Sequence, residues 1–232
     1  MRLDRFLCEM NMGTRSQVKA ALRQGLVTVN GQATLDPGLK IDEQNDSVCF
    51  QGQALHYRKF VYYMLNKPAG VVSATRDNTA DTVVSLLGKD ALKDIFPVGR
   101  LDKDTTGLLL LTNDGELAHR LLSPKKHVDK VYRVTVEHPL SEEDKTRLEQ
   151  GVDIGEENIT LPARVEAVSG KEILLAIHEG RFHQVKRMLQ AVGNGVLSLE
   201  RVGFGGLTLG GSLKPGEYRE LTKQEVDSLH ET

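Results

Sequence analysis

Residues 99–111 read GRLDKDTTGLLLL, a polar loop that begins at Gly99 and runs through Gly107 directly into four leucines. Leu108–Leu111 has the length and the apolar character of a core strand, and Asn113-Asp114-Gly115 ends it with a turn signal. Proteins commonly hold catalytic groups in loops at the ends of such strands. The stretch therefore predicts a functional loop attached to the core of a sheet.

Strand and helix patterns alternate along the chain on both sides of this stretch. Apolar runs typical of strands occupy 60–65, 131–136 and 173–177, and helical patterns occupy 116–122 and 185–192. Strands joined by hairpins, with helices between them, favour an α+β fold with a mixed, mainly antiparallel sheet.

The first 50 residues have a pattern of their own. Apolar spacing predicts a helix over 3–10, Thr14 has the capping-box pattern that starts a second helix, and Asn30-Gly31 predicts a tight hairpin. The second helix carries three cations four residues apart, and they are Arg15, Lys19 and Arg23. A cationic helix beside a hairpin is a compact way to hold an RNA backbone, so we expect these three residues to bind RNA. The same unit also occurs in proteins with no such role.

A polar stretch without periodicity, residues 51–59, is interpreted as a linker. The sequence thus predicts two domains, a small one at 1–57 and a larger one at 60–232.

Charge is unevenly distributed along a chain of 232 residues whose net charge is only −2. Residues 1–30 hold five Lys and Arg against two acids, whereas 137–157 hold eight acids against two cations. Such segregation lets a nearly neutral chain present a basic face to phosphates. Ordinary solvated helix faces would explain the same pattern. A second basic stretch, also expected to contact RNA phosphates, contains Lys125, Lys126 and Lys130.

Several classes of protein are disfavoured by composition. Hydrophobic residues make up 39% and charged residues 27%, which is typical of a globular protein, and no apolar run reaches the roughly 18 residues of a membrane span. Cys8 and Cys49 form no Cys-x-x-Cys motif, so we expect reduced thiols and a cytoplasmic protein without a metal. The start of the chain, with two arginines and an acid, does not read as a secretory signal.

Three interpretations of the loop at 99–107 are open from the local sequence. Its aspartates could cap a solvated turn. They could also bind calcium, but a calcium loop that starts at Asp102 needs an acid at its twelfth position, where this chain has Asn113. The third interpretation is a catalytic aspartate.

A family resemblance favours the third interpretation. GRLDKDTTGLLLLTNDG resembles the active-site motif of the pseudouridine synthases, in the branch that modifies small-subunit ribosomal RNA. Further stretches that are similar to that family follow in the expected order: FVYYMLNKPAGVVS, KVYRVTV, EGRFHQVKRML and LERVGFGGL. Residues 1–50 resemble the small RNA-binding domain first known from ribosomal protein S-four, although Arg15-Ser16 reverses the usual order of the two residues.

The resemblance implies a role for individual residues. Asp102 corresponds to the catalytic aspartate, Tyr132 to the tyrosine that stacks on the target base, and Lys186 to the basic residue that pairs with the aspartate. Leu199 corresponds to the aliphatic residue packed against uracil, and Arg100 to a residue near the gap left by the displaced base. The implied reaction converts a uridine of RNA to pseudouridine and needs no cofactor.

The resemblance also implies a partner, 16S ribosomal RNA in an assembling small subunit, modified by a monomer that needs no membrane. Two alternatives stay open at this point: a synthase for 23S ribosomal RNA, and a non-catalytic RNA-binding factor in ribosome assembly.

Overall fold

The computed structural model describes residues 1–90, 94–123, 126 and 128–231. The chain divides into two compact units, Met1–Val61 with Lys89–Ile95, and Tyr62–Gly88 with Phe96–Thr232. The boundaries expected from sequence, 1–57 and 60–232, stay a prediction.

The first unit packs two helices on a small antiparallel sheet. Its elements are α1 (Leu3–Glu9), α2 (Arg15–Arg23), β1 (Val27–Val29), β2 (Gln32–Ala33), β3 (Val48–Phe50) and β4 (Gln53–Leu55), with the strand order β2-β1-β3-β4. The capping box at Thr14 is formed, and Gln17 is its other member. The buried core of this unit contains Leu3, Phe6, Leu7, Val18, Leu22, Val27, Ile41 and Val48. Arg15, Lys19 and Arg23 are all exposed on α2.

Strand β4 lies inside the stretch interpreted as a linker, so that interpretation is wrong for Gln53–Leu55. Gln51 and Gly52 both have positive φ, 50° and 80°. A two-residue turn with positive φ at both positions matches the twist of a hairpin, and it lets β4 pair with β3.

The second unit is built on one mixed sheet. The described residues contribute nine strands: β5 (Tyr62–Lys67), β6 (Phe96–Pro97), β7 (Thr106–Thr112), β8 (Lys130–Val136), β9 (Arg164–Ser169), β10 (Glu172–Ile177), β11 (Val196–Phe204), β12 (Leu207–Thr208) and β13 (Tyr218–Glu220). The main order is β13-β5-β7-β11-β8-β10-β9, while β12 pairs with β11 and β6 pairs with β7. Strands β7 and β11 are parallel, and the other described pairs are antiparallel. The predicted α+β class with a mixed, mainly antiparallel sheet is confirmed.

Four α-helices accompany this sheet in the described residues: α3 (Gly115–Leu122), α4 (Glu142–Gln150), α5 (Gln184–Ala191) and α6 (Lys223–Glu231). A 3-10 segment at Ser85–Asp90 is interrupted at Gly88. Asp114 caps α3 by accepting a hydrogen bond from the Leu117 amide, and Ser141 caps α4. No helix among the described residues is both long enough and apolar enough to span a membrane.

Strand β7 is at the centre of the larger core. All four side chains of Leu108–Leu111 are fully buried. One cluster joins β7 to helices α3 and α6, and it includes Leu108, Leu110, Leu117, Leu121, Phe204 and Leu229. The loop that precedes β7 is therefore attached to the most deeply buried strand of the unit.

The pairing of β7 with β11 depends on a glycine. Gly107 has φ +98° and lies opposite Arg201 in the parallel pair, and a Cβ added there would meet the Arg201 backbone nitrogen at 2.8 Å. We expect Gly107→Ala to lower the free energy of unfolding by about 2 kcal/mol or more, because both the φ angle and the strand spacing become strained. Urea unfolding followed by circular dichroism measures the change.

Gly115→Ala is the matched control. Gly115 has open space around its Cα and begins α3, so alanine there is expected to leave stability unchanged or raise it by up to about 1 kcal/mol. Equal stability of the two variants would contradict the close packing of β7 on β11.

Candidate active site

The loop between β6 and β7 carries Asp102, and its backbone is hydrogen-bonded to the segment that follows β5. The Ser73 hydroxyl accepts from the Leu101 amide at 3.0 Å and donates to the Leu101 carbonyl at 2.8 Å. The Gly70 amide donates to the Lys103 carbonyl at 2.8 Å. The segment that follows β5 thus holds the loop at two positions, one on each side of Asp102.

Lys67, the last residue of β5, binds the backbone of the same loop through its ammonium group. Its side chain is fully buried, and its ammonium donates to the carbonyl oxygens of Asp102 at 3.0 Å and Thr105 at 2.9 Å. The carbonyls of Pro68 and Lys103 lie 3.1 and 3.3 Å away. Burial lowers the pKa of Lys67 to about 8, against the opposing pull of the nearby carboxylates Asp104 and Asp102. A single cation therefore serves three backbone acceptors of the loop, those of Asp102, Lys103 and Thr105.

The Asp102 carboxylate meets two groups from the start of α5. His183 Nε2 lies 3.5 Å from Oδ1, and the Lys186 ammonium lies 3.4 Å from Oδ2. Residues three apart share one face at the start of a helix, so both side chains reach the same carboxylate. The Asp102 side chain retains 28% of its exposure, which leaves it accessible to a ligand.

Lys186 is shared between two carboxylates. Its ammonium lies 2.7 and 2.8 Å from the two oxygens of Asp104, closer than it lies to Asp102. Burial alone would lower the pKa of Lys186, but the hydrogen bond to Asp104 and the charges of both aspartates raise it above the ordinary value. The same hydrogen bond lowers the pKa of Asp104. Lys186 is therefore held as a cation beside Asp102.

A hydrogen-bonded loop positions the start of α5. Gln184 is buried; its side chain donates to Glu179 at 2.7 Å and accepts from the Arg181 amide at 2.9 Å. Arg181 also pairs with Glu179, at 2.9 Å. His183 adopts a left-handed backbone, φ 49° and ψ 33°, an uncommon conformation for a residue other than glycine. The loop thus fixes the direction of the His183 ring at a cost in backbone strain.

Alternation along two paired strands builds the pocket beside Asp102. Lys130 and Tyr132 on β8 are two residues apart, as are Leu199 and Arg201 on β11, and Tyr132 pairs directly with Arg201. These four side chains and Asp102 line one cavity of about 120 Å³. An engineered cavity of about 150 Å³ binds benzene, so this volume is of the order that one six-membered ring requires.

Arg201 is a fully buried cation in the wall of this cavity. Its Nε donates to the Leu108 carbonyl at 2.8 Å, and its guanidinium lies 4.9 Å from the centre of the Phe204 ring. Burial lowers the pKa of Arg201, while its hydrogen bond and charge interaction with Tyr132 oppose that shift. Within the described part of the chain, Arg201 Nη2 and Thr105 Oγ1 are buried without a hydrogen-bond partner. Both residues are among those that line the cavity, although these two atoms are themselves shielded from solvent.

The structure brings most of the predicted site residues together. Asp102, Tyr132, Leu199 and Arg100 line the cavity, and Lys186 reaches Asp102 from α5. Their individual roles stay predictions. The first unit carries the other predicted RNA-binding residues, Arg15, Lys19 and Arg23.

The second predicted basic stretch is only partly described. Lys126 is exposed, whereas Lys125 lies outside the described residues. Lys130 lies in the wall of the cavity rather than on the open surface, and its expected contact with RNA phosphates stays a prediction. It is 8% exposed, its ammonium donates to the Val128 carbonyl at 3.0 Å, and burial lowers its pKa to about 8. Because Lys130 alternates with Tyr132 along β8, its side chain lies on the same side of the strand and lines the cavity.

Sequence reasoning missed four residues around Asp102: Lys67, Asp104, His183 and Arg201. Lys67 stands at the end of an apolar strand, where a lysine must find buried acceptors, and that was the available signal. The sequence gives a weaker signal for His183 and Arg201. Only the fold brings His183 to Asp102 and Arg201 beside Tyr132. Within the described residues, no three His, Cys, Asp or Glu side chains come together in the way a metal site requires.

Comparison with known proteins gives two family matches. The family model described as RNA pseudouridylate synthase matches residues 61–191, and the S4 domain matches residues 1–48. A crystal structure of a pseudouridylate synthase superimposes with a TM-score of 0.70 and 39% identity, covering 99% of each chain.

Similar proteins of known sequence span the whole chain. An uncharacterised RNA pseudouridine synthase of Bacillus subtilis is 48% identical and covers 100% of this chain and 99% of its own length. The ribosomal small subunit pseudouridine synthase A of Vibrio cholerae is 42% identical, with 99% of each chain covered. The Escherichia coli protein of the same name is 40% identical over 99% of this chain and 100% of its own.

Lys67→Met tests the buried cation, since methionine fills a similar space without hydrogen-bond donors. We expect a loss of about 2 to 4 kcal/mol in the free energy of unfolding, because several buried carbonyls lose their partner. Turnover should fall as well, because Asp102 belongs to the released loop. Urea unfolding and a turnover assay measure the two effects.

Lys103→Met controls for the loss of a lysine from the same region, because Lys103 is exposed. Its unfolding free energy should stay within about 0.5 kcal/mol of the original. If Lys67→Met were equally stable, the Lys67 ammonium would not be what holds the loop.

Proposed function

The chain belongs to the RNA pseudouridine synthase family, and from this premise we propose that it isomerises one uridine of 16S ribosomal RNA to pseudouridine, with Asp102 as the catalytic carboxylate. The observation that carries the role of Asp102 is its place at the ring-sized cavity, where His183 and Lys186 meet its two oxygens. The enzyme class, a pseudouridine synthase, follows from the family itself.

The reaction exchanges one glycosidic bond for another. The bond from the ribose anomeric carbon to nitrogen 1 of uracil breaks, the base turns, and carbon 5 bonds to the anomeric carbon. Carbon 5 gives up one proton and nitrogen 1 takes one, so the composition of the nucleoside is unchanged. Asp102 would attack the sugar as a nucleophile or take a sugar proton to help the base depart. The reaction involves no net redox change and requires no cofactor.

The groups around Asp102 suit either route. The Lys186 ammonium at 3.4 Å supplies positive charge beside the carboxylate, while Asp104 holds the same ammonium in place. The Lys67 ammonium fixes the Asp102 carbonyl, so the backbone that carries the carboxylate is rigid. Pre-positioned groups of this kind lower the cost of bringing the reacting atoms together.

The cavity suits an extruded uracil. An enzyme that acts on this bond must take the nucleotide out of the stack, at a cost of a few kcal/mol. Tyr132 and Leu199 would then sandwich the base, and stacking on an aromatic ring returns about 1–3 kcal/mol. Arg201 and Thr105 are the polar residues that line this cavity beside Tyr132 and Leu199. Arg100, exposed at the mouth, would lie near the gap left by the base.

We propose that the enzyme acts in the cytoplasm on 16S ribosomal RNA in an assembling small subunit. The choice of this RNA rests on relatives named for the small subunit, which match over 99% of this chain. The RNA-binding S4 domain would hold the substrate backbone through Arg15, Lys19 and Arg23 on α2. The unit of activity that we propose is the monomer, as the family resemblance implies.

Asp102→Asn tests the catalytic carboxylate. We expect it to abolish turnover while RNA affinity stays within about twofold, because the amide keeps the shape and loses the negative charge. The assay is tritium release from RNA labelled at carbon 5 of uridine, on separate small- and large-subunit transcripts and on partly assembled particles.

Asp227→Asn is the control, an exposed aspartate on α6, and it should behave like the original protein. Activity that survives in Asp102→Asn would contradict the catalytic assignment. Release from the large-subunit substrate would keep the chemistry and overturn the choice of 16S RNA. RNA binding by the original protein without tritium release from any substrate would favour a non-catalytic assembly factor.

The RNA-binding role of α2 predicts a change in salt dependence. Replacing Arg15, Lys19 and Arg23 together by glutamine removes up to three phosphate contacts. The slope of log affinity against log salt should therefore become shallower by about 2 to 3. Filter binding between 50 and 200 mM salt measures this slope, and Lys40→Gln, an exposed cation of the same unit, is the control. An unchanged slope in the triple variant would mean that α2 does not contact the RNA backbone.

A further inference from the structure

An exposed aromatic ring lies at the edge of the site and has no part in the mechanism above. The Phe182 side chain is 73% exposed, an unusual state for a phenyl ring, whose transfer from water into a core is worth about 2 kcal/mol. Its ring stacks on His183 with centroids 3.8 Å apart and planes inclined by 19°. One face of the phenyl ring is thus covered by the imidazole, and most of the rest is open to solvent.

The stacked pair connects the surface to the catalytic carboxylate. His183 contacts Phe182 through its ring face and Asp102 through Nε2 at 3.5 Å. The left-handed backbone of His183 and the anchored side chain of Gln184 fix the pair without burying it. The phenyl ring thus presents an open face one residue from the group that contacts the catalytic carboxylate, a position at which a planar ligand can stack on it.

The surroundings of Phe182 indicate the chemistry of that ligand. Phe182 lines a groove of about 610 Å³ that also contains Asp102 and so continues from the base cavity. The same groove is lined by the cations Arg100 and Lys103, both exposed. An aromatic face among cations suits a nucleotide, whose base stacks while its phosphate pairs with the charges.

We propose that Phe182 is the stacking platform for the base next to the extruded uridine, an inference that rests on the proposed function. The neighbouring base would lie on the open face of Phe182, so that base, phenyl and imidazole form one continuous stack ending beside Asp102. This contact offsets part of the stacking lost when the uridine leaves the helix. It also sets the position of the adjoining backbone relative to the carboxylate.

The platform predicts that an aromatic face is required, not merely an apolar side chain. In tritium release from the small-subunit substrate, Phe182→Ala and Phe182→Leu should each raise KM about tenfold, while kcat changes less than about threefold. Phe182→Tyr should keep both constants near those of the original protein. Leu197→Ala is the matched control, because Leu197 is 62% exposed on β11 and lines neither cavity. Circular dichroism melting verifies that each variant is folded.

A change in the RNA then identifies the partner of Phe182. Once the modified uridine is mapped with the original protein, transcripts with an abasic site on its 5′ or 3′ side are compared with intact RNA. At one of these two positions the abasic site should raise KM for the original protein about tenfold and have no further effect on Phe182→Ala. Such non-additivity is the signature of a direct contact.

The inference alone would be overturned by equal KM values for Phe182→Ala and the original protein, by full activity of Phe182→Leu, or by additive effects of the variant and both abasic sites. A defect confined to assembled particles would also overturn it, in favour of a contact with a ribosomal protein. Failure of the original protein to release tritium from any substrate is a different outcome, since it overturns the proposed function itself.

Discussion

The Lys67 ammonium, buried among the carbonyl oxygens of the loop that carries Asp102, is the interaction on which the site depends. A loop of this kind leaves its backbone acceptors without the partners that a strand or helix would supply. Lys67 provides them from the end of β5, at 3.0 Å for Asp102 and 2.9 Å for Thr105. Burying a cation is costly, and backbone carbonyls aimed at it offset that cost. The polar loop can therefore lie against the core without losing its shape.

The second constraint is the parallel pairing of β7 with β11. Gly107 lets the backbones approach so closely that Arg201 lies directly opposite it. Because β11 also pairs with β8, Leu199 and Arg201 are brought beside Tyr132 and next to the end of the Asp102 loop. Residues separated by about 100 positions in sequence thus form one ring-sized cavity. The mixed sheet is what places the base-binding side chains beside the carboxylate.

Charge in the site is arranged in pairs rather than as a single basic field. Asp102 and Asp104 share Lys186, and His183 adds a second contact to Asp102. The exposed cations Arg100 and Lys103 lie in the groove that leads to this cluster. A chain with a net charge of −2 can therefore attract a polyanion at one place while the carboxylate that is needed for chemistry stays within reach.

The sequence by itself determined the local features of this protein: strand β7 from its leucines, the capping box of α2, the α+β class, and Asp102 as the residue to examine. The first three follow from periodicity and turn chemistry, which depend only on neighbours along the chain, whereas Asp102 is indicated by the resemblance of its motif to a known family. The fold alone decided that Lys130 turns inward, that Lys67 holds the loop, and that His183 and Arg201 join the site. These contacts join residues that are far apart in sequence, and they depend on which strands pair, on their register and on the left-handed backbone at the start of α5.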